Sequence, residues 1–192
     1  MQSSTAARVV EFGLAILTIV IRIASHLGSA FNFNSVGALG LFGGARLKSW
    51  QAYAAPIAVM VVTDLGLAVI KGDEYGLLHP SRIWVYGCFL LYVVIGRTVI
   101  GDSKNPFVIV AASLLGTAQF FLITNFCEWL VQPVYSRDIW GLIDSYWSAI
   151  LFLKFSLAAD LIFAPAAFLA HHFLTRDVSI AEESLHTASA GR

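Results

Sequence analysis

The residues of this 192-residue chain that could do chemistry are few, and they recur at one end of its apolar runs. His26 closes the first run, and Asn32 and Asn34 follow it. Asp64 lies late in the next long run, His79 in the connector beyond it, and Tyr86 at the start of the run after that. Asn125, Glu128 and Trp129 close a further run, and Tyr135, Trp140, Asp144, Tyr146 and Trp147 surround the start of the last. The chemistry this set offers is recognition. A carboxylate accepts hydrogen bonds from amides or hydroxyls, flat rings form apolar walls, and a small-molecule pocket needs that mixture. His26, Asn32, Asp64, His79, Tyr86, Asn125 and Trp129 are therefore the expected ligand-binding residues. Each has an ordinary reading beside the functional one. Tyr and Trp gather at membrane interfaces whatever the function. Asp64 could form a structural ion pair instead, and Asn125 a helix–helix hydrogen bond.

Covalent chemistry has no comparable constellation. The chain has no G-x-S-x-G, no H-E-x-x-H and no Walker loop, so no enzymatic activity is expected and ATP hydrolysis would need a separate partner. Cys88 and Cys127 sit inside apolar stretches without disulfide or zinc spacing. Lys154 and Asp160 are six residues apart and do not share a helix face. Lys154 is expected to pair with an acid on another helix, with a coupling-ion or proton path as the alternative; Glu11 is the other deep acid. His171 and His172 fall at the opposite end from His26, so the three cannot share a metal.

The elements that must position these residues follow from composition. The chain is 58% hydrophobic and 12% charged, with mean hydropathy +0.76. Soluble domains carry about twice that charge, so an integral membrane protein is expected. Lys+Arg and Asp+Glu both number 12, which removes the basic excess that nucleic acid would require. A crossing needs about 20 apolar residues. Five long helices meet this: Arg8 to His26, Ser49 to Ile70, Ile83 to Gly101, Pro106 to Leu130 and Leu142 to Leu174. A short one, Val36 to Arg46, cannot cross alone. Glu11 and Arg22 interrupt the first run and argue against a cleaved signal peptide. Asn105-Pro106 reads as an N-cap followed by proline at the first helical position. With six crossings, Arg8, Arg46, Lys48, Arg97, Lys104, Arg176 and Arg192 lie on the side of the termini, against Arg22, Lys71, Arg82 and Arg137 on the other. That bias puts both termini in the cytoplasm. The expectation is one all-α six-helix transmembrane domain over 1–176 and a polar tail over 177–192.

Several blocks carry a family likeness. They are Arg22-x-x-x-His26, Asn32-Phe33, the run Val36-Gly37-Ala38-Leu39-Gly40-Leu41-Phe42-Gly43-Gly44-Ala45, Thr63-Asp64, and Phe120-Phe121-Leu122-Ile123-Thr124-Asn125-Phe126 with Trp129. Together they resemble the bacterial membrane family DUF6580 over about residues 10–170. That family in turn resembles the substrate-binding S components of energy-coupling-factor vitamin transporters, and the solitary cobalamin transporter BtuM. The resemblance implies a bacterial inner-membrane protein with an outward-facing pocket closed by the loops after helices one, three and five. It implies uptake of a vitamin-like or corrinoid molecule, bound as substrate rather than as an intrinsic cofactor. It also implies either solitary action or docking of a coupling subunit driven by separate ATPases. The cobalamin transporter uses a cysteine in the loop after helix three; here Lys71 to Arg82 has none, and His79 is the possible cobalt ligand. Ser35 replaces the family's proline after Asn-Phe.

Gly40-x-x-x-Gly44 lets a backbone approach closely. That approach is either intramolecular packing or a docking face for a partner subunit. A second class of function stays open with the latter: an accessory subunit of a larger membrane complex, holding a pigment, quinone or haem. A small membrane enzyme is the third.

Overall fold

The computed structural model describes residues 2–28, 33–47, 50–72 and 80–190, with side chains over 5–28, 33–47, 50–72 and 80–176. Among these the chain is all helix: α1 (Gln2–Leu27), α2 (Val36–Arg46), α3 (Gln51–Lys71), α4 (Arg82–Ile95), α5 (Pro106–Val131), α6 (Ile139–Ser148) and α7 (Ile150–Ala190). A π-helical turn, Gly96–Ile100, extends α4. Four helices are long and apolar enough to cross a membrane: Gln51–Lys71, Arg82–Ile100, Pro106–Val131 and Ile150–Arg176. This is consistent with a multi-pass membrane protein. Large apolar side chains such as Phe12, Val69, Phe107 and Leu151 stay exposed on the outside of the bundle, as lipid-facing positions do.

The helix ends follow local chemistry. Asn105 accepts a hydrogen bond from the Phe107 amide at 2.9 Å, and Pro106 opens α5 without wasting a donor. Gly101, at φ 50°, stops the π-turn in a conformation that costs other residues more. Asp138 caps α6 through the Gly141 amide at 2.9 Å.

The short helix α2 is the axis of the bundle. Val36 to Gly44 are all buried, and α1, α3, α4, α5 and α7 surround them. A helix that is apolar all round must be enclosed in this way. Its depth is set by Ser35, whose hydroxyl lies 2.7 Å from that of Thr18. Thr18 precedes the end of α1 by nine residues, about 13 Å of helix. Ser35 and the start of α2 therefore lie well inside the bundle, and eleven helical residues carry the chain on to its other end. Non-helical backbone at such depth is tolerated where it is enclosed by protein or lines a cavity.

Two sequence expectations need correction. The last long segment is not one helix from Leu142 to Leu174. It breaks at Ala149 into α6 and α7. The Ser145 hydroxyl donates to the Asn125 carbonyl and the Tyr146 hydroxyl to the Leu122 carbonyl, each at 2.8 Å, so α6 is held to α5 independently of α7. Gly40 and Gly44 are not on a docking face. A Cβ at Gly40 would lie 2.9 Å from Tyr92 Cβ, and one at Gly44 2.9 Å from the Val93 carbonyl carbon. Both glycines serve the close approach of α2 to α4.

Candidate functional site

The two ends of the bundle differ. At the end where α2 finishes, arginines pin the backbone. Arg46 donates to the Gly101 carbonyl and, at 2.8 Å, to that of Ser103. Arg97 donates to the Leu47 carbonyl at 3.1 Å and to the Tyr53 hydroxyl at 3.2 Å. The opposite end holds a cavity of about 610 Å3. It lies over the point where α2 begins, so Asn34 is in its wall. An axial helix that starts deep leaves the upper part of the bundle open.

α5 supplies the longest stretch of wall. Thr117, Phe120, Phe121, Thr124, Asn125, Glu128 and Gln132 all line the cavity, and their spacing of three and four residues makes one helix face. α1 contributes Arg22 and His26, again four apart; α4 contributes Arg82, Val85 and Phe89. Tyr135, Ser145, Phe152 and Ser156 close the side towards α6 and α7. Phenylalanine walls with dispersed amide, hydroxyl, imidazole, carboxylate and guanidinium groups have the mixture that binds a small molecule.

Behind the cavity wall lies an ionic knot. Arg22, 4% exposed, reaches Asp64, fully buried, at 2.6 Å, and also donates to the Thr63 hydroxyl. Arg82 Nε lies 3.3 Å from the other carboxylate oxygen, which also accepts from the Tyr86 hydroxyl at 2.7 Å. Asp64 thus joins α1, α3 and α4. Around it, Lys71 donates to the His26 carbonyl, and His26 Nδ1 lies 2.8 Å from the Arg22 carbonyl.

The sequence-derived site residues divide. His26 and Asn125 line the cavity. Asn125 also donates to the Phe121 carbonyl at 2.8 Å, which aims its amide. Asp64 and Tyr86 do not line it; they hold each other and the two arginines, so both carboxylate oxygens of Asp64 are occupied by protein donors. Trp129 donates to the Ser136 carbonyl at 2.8 Å and staples the loop after α5. Asn32 and His79 lie outside the described residues, so the expected cobalt ligand does too. Among the described residues, no three of His, Cys, Asp or Glu gather as a metal site. Trp140 and Trp147 are exposed, as an interfacial belt requires, whereas Tyr135 lines the cavity. Lys154 is exposed on α7 and has no acidic partner among the described residues, contrary to the expected internal pair. Asp160 is buried with hydroxyl donors from Tyr92 and Thr117 instead.

Sequence reasoning missed Arg82, Thr117, Thr124 and Gln132 as wall residues. The helical spacing of polar side chains along α5 was the available signal. Arg82 carried none, because only folding brings the start of α4 beside α1.

Outside the apolar region, Asp138 fixes the start of α6. The Gly141 amide and the Ser136 hydroxyl donate to it and hold its carboxyl below the ordinary range.

No curated protein and no solved structure matches this chain. A family model covers residues 2–183, and the chain belongs to that family, DUF6580, a family of unknown function.

Proposed function

We propose that this is a multi-pass protein of the bacterial inner membrane, both termini cytoplasmic, that binds a vitamin-like small molecule in the end-of-bundle cavity and takes it up. The observation that carries this reading is the cavity itself. Its volume of about 610 Å3 falls within the range of about 300–1,000 Å3 that holds drug-sized ligands, and its walls mix rings with convergent polar groups. Asn125 and His26 would meet polar edges of the ligand, and Phe89, Phe120 and Phe121 would cover its flat faces. Asp64 would act indirectly by positioning Arg22 and Arg82. A corrinoid would have to leave part of its bulk outside, beside the loops. Uptake would follow from tilting of the bundle, alone or with a coupling subunit and separate ATPases, as the likeness to S components implies. No covalent step is required.

The test is binding by the purified protein in lipid nanodiscs, by calorimetry against thiamine, biotin, riboflavin and cyanocobalamin. One of these should bind with a stoichiometry of one, and Asn125→Ala should weaken it about tenfold, the worth of one polar contact. Binding that Asn125→Ala and Thr124→Trp both leave unchanged would remove this cavity from the account.

A further inference from the structure

Asp160 is a buried carboxyl that the binding site does not use. It lies in the middle of the span Ile150–Arg176 and is 3% exposed. One oxygen, Oδ2, accepts from the Tyr92 hydroxyl at 2.5 Å and from the Thr117 hydroxyl at 2.7 Å. The other, Oδ1, lies against Gly37, the second residue of α2, where any side chain would collide with it. Among the described residues no cation pairs with Asp160. Four helices have shaped this place. Gly37 on α2 and Gly116 on α5 admit the Tyr92 ring from α4, and α7 brings the carboxyl.

An ionised side chain in an apolar interior is costly and usually marks function. Here two influences oppose that cost. Two hydroxyls donate to the carboxylate, and Oδ1 lies beside the first turn of α2, the end of a helix that favours negative charge. A group balanced in this way can hold its proton or release it. A chamber of about 10 Å3 is lined by Asp160, Gly37, Tyr92, Asn34, Phe89, Phe120 and Ser156. The last four, apart from Gly37, Tyr92 and Asp160, also line the large cavity. That volume is about what one water occupies.

We propose that Asp160 is a proton-binding site, exchanging one proton with the large cavity through a single water in the chamber beside it. The O–H bond of the carboxylic acid breaks, the water carries the proton to the cavity, and the carboxylate stays held by Tyr92 and Thr117. A metal cation fits less well. Hard cations take about six oxygen ligands, and neither the donor set nor the chamber provides them. The groups facing Asp160 leave the proton to this carboxyl. Tyr92 on α4 is the titratable side chain in contact with it, with Cys88 one turn away. α2 presents Gly37, and α5 presents Thr117 and Gly116.

Proton exchange can be read without any ligand, so its failure is separate from failure of the uptake reading. The measurement is infrared spectroscopy of the protein in nanodiscs across a pH titration. A protonated-carboxyl band should fade as pH rises, disappear in Asp160→Asn and persist in Glu11→Gln, the control for another buried carboxyl. In Thr117→Val the band should move to higher wavenumber, because the carboxyl loses one hydrogen bond; this arm does not depend on Asp160→Asn folding. No pH-dependent band, a band removed by Glu11→Gln and kept in Asp160→Asn, or a band unmoved in Thr117→Val would overturn the proposal.

Discussion

The hydroxyls of Thr18 and Ser35 lie 2.7 Å apart, and this contact sets the depth at which the axial helix begins. The Thr18 hydroxyl donates to the Leu14 carbonyl at 2.6 Å, so the shared proton comes from Ser35. Ser35→Ala leaves a buried hydroxyl without its donor. The expected loss is about 1–2 kcal/mol, with a fall of a few degrees in Tm. The measurement is thermal unfolding in detergent; an unchanged midpoint would mean that another contact sets the depth of α2.

Asp64→Asn should destabilise more strongly. It removes the charge that compensates Arg22, and breaking a buried pair from one side costs about 3–5 kcal/mol. Because Arg82 and Tyr86 also hold Asp64, Arg22→Met combined with Asp64→Asn should cost less than the two single substitutions added together, without returning to native stability. A double-mutant cycle on unfolding free energy checks the pairing. Additive effects would show that the two residues act separately.

The glycines divide sharply. A Cβ at Gly96 would meet the Leu41 backbone at 2.8 Å, so Gly96→Ala should disrupt the packing of α2 against the π-turn and abolish expression of folded protein. Gly66 has nothing within 4 Å, so Gly66→Ala should be tolerated, and gain up to about 1 kcal/mol from helix propensity. Size-exclusion profiles of the two variants make the comparison; equal behaviour would contradict the close approach.

Asp138 ties α6 to pH. Its carboxyl is held below the ordinary value, chiefly by the Gly141 amide. A depressed carboxyl contributes stability that is present above its unfolded value, near pH 4, and lost as pH falls through the folded value. Asp138→Ala should therefore speed hydrogen exchange at Gly141 and its neighbours in α6 at neutral pH. The difference from the native protein should vanish in strong acid. Equal exchange rates at neutral pH would show that α6 does not depend on this cap.

Much of the architecture is legible in the sequence because apolar runs and caps are local. Pro106 and Arg46 mark helix ends that the structure keeps. The break at Ala149 is not legible, since neither proline nor glycine sits there and the cause is the grip of Ser145 and Tyr146 on α5. Of the polar side chains singled out in the sequence as ligand-binding, His26 and Asn125 line the cavity, but type alone does not say which reach it. Asn125 reaches it, while Asp64 is taken up by Arg22, Arg82 and Tyr86, a choice made by α1 and α4 converging on α3. Gly40 and Gly44 read equally as inner or outer packing until α4 is placed against them.

The central claim is that a small molecule occupies the space above the start of α2. Native mass spectrometry of the protein released from its own membranes tests this most directly. The account predicts one bound species of vitamin-like mass on the native chain, absent when Ser156→Trp fills the cavity of an otherwise folded protein. An adduct retained in Ser156→Trp, or a native chain that carries no such species even after incubation with the candidate vitamins, would contradict it.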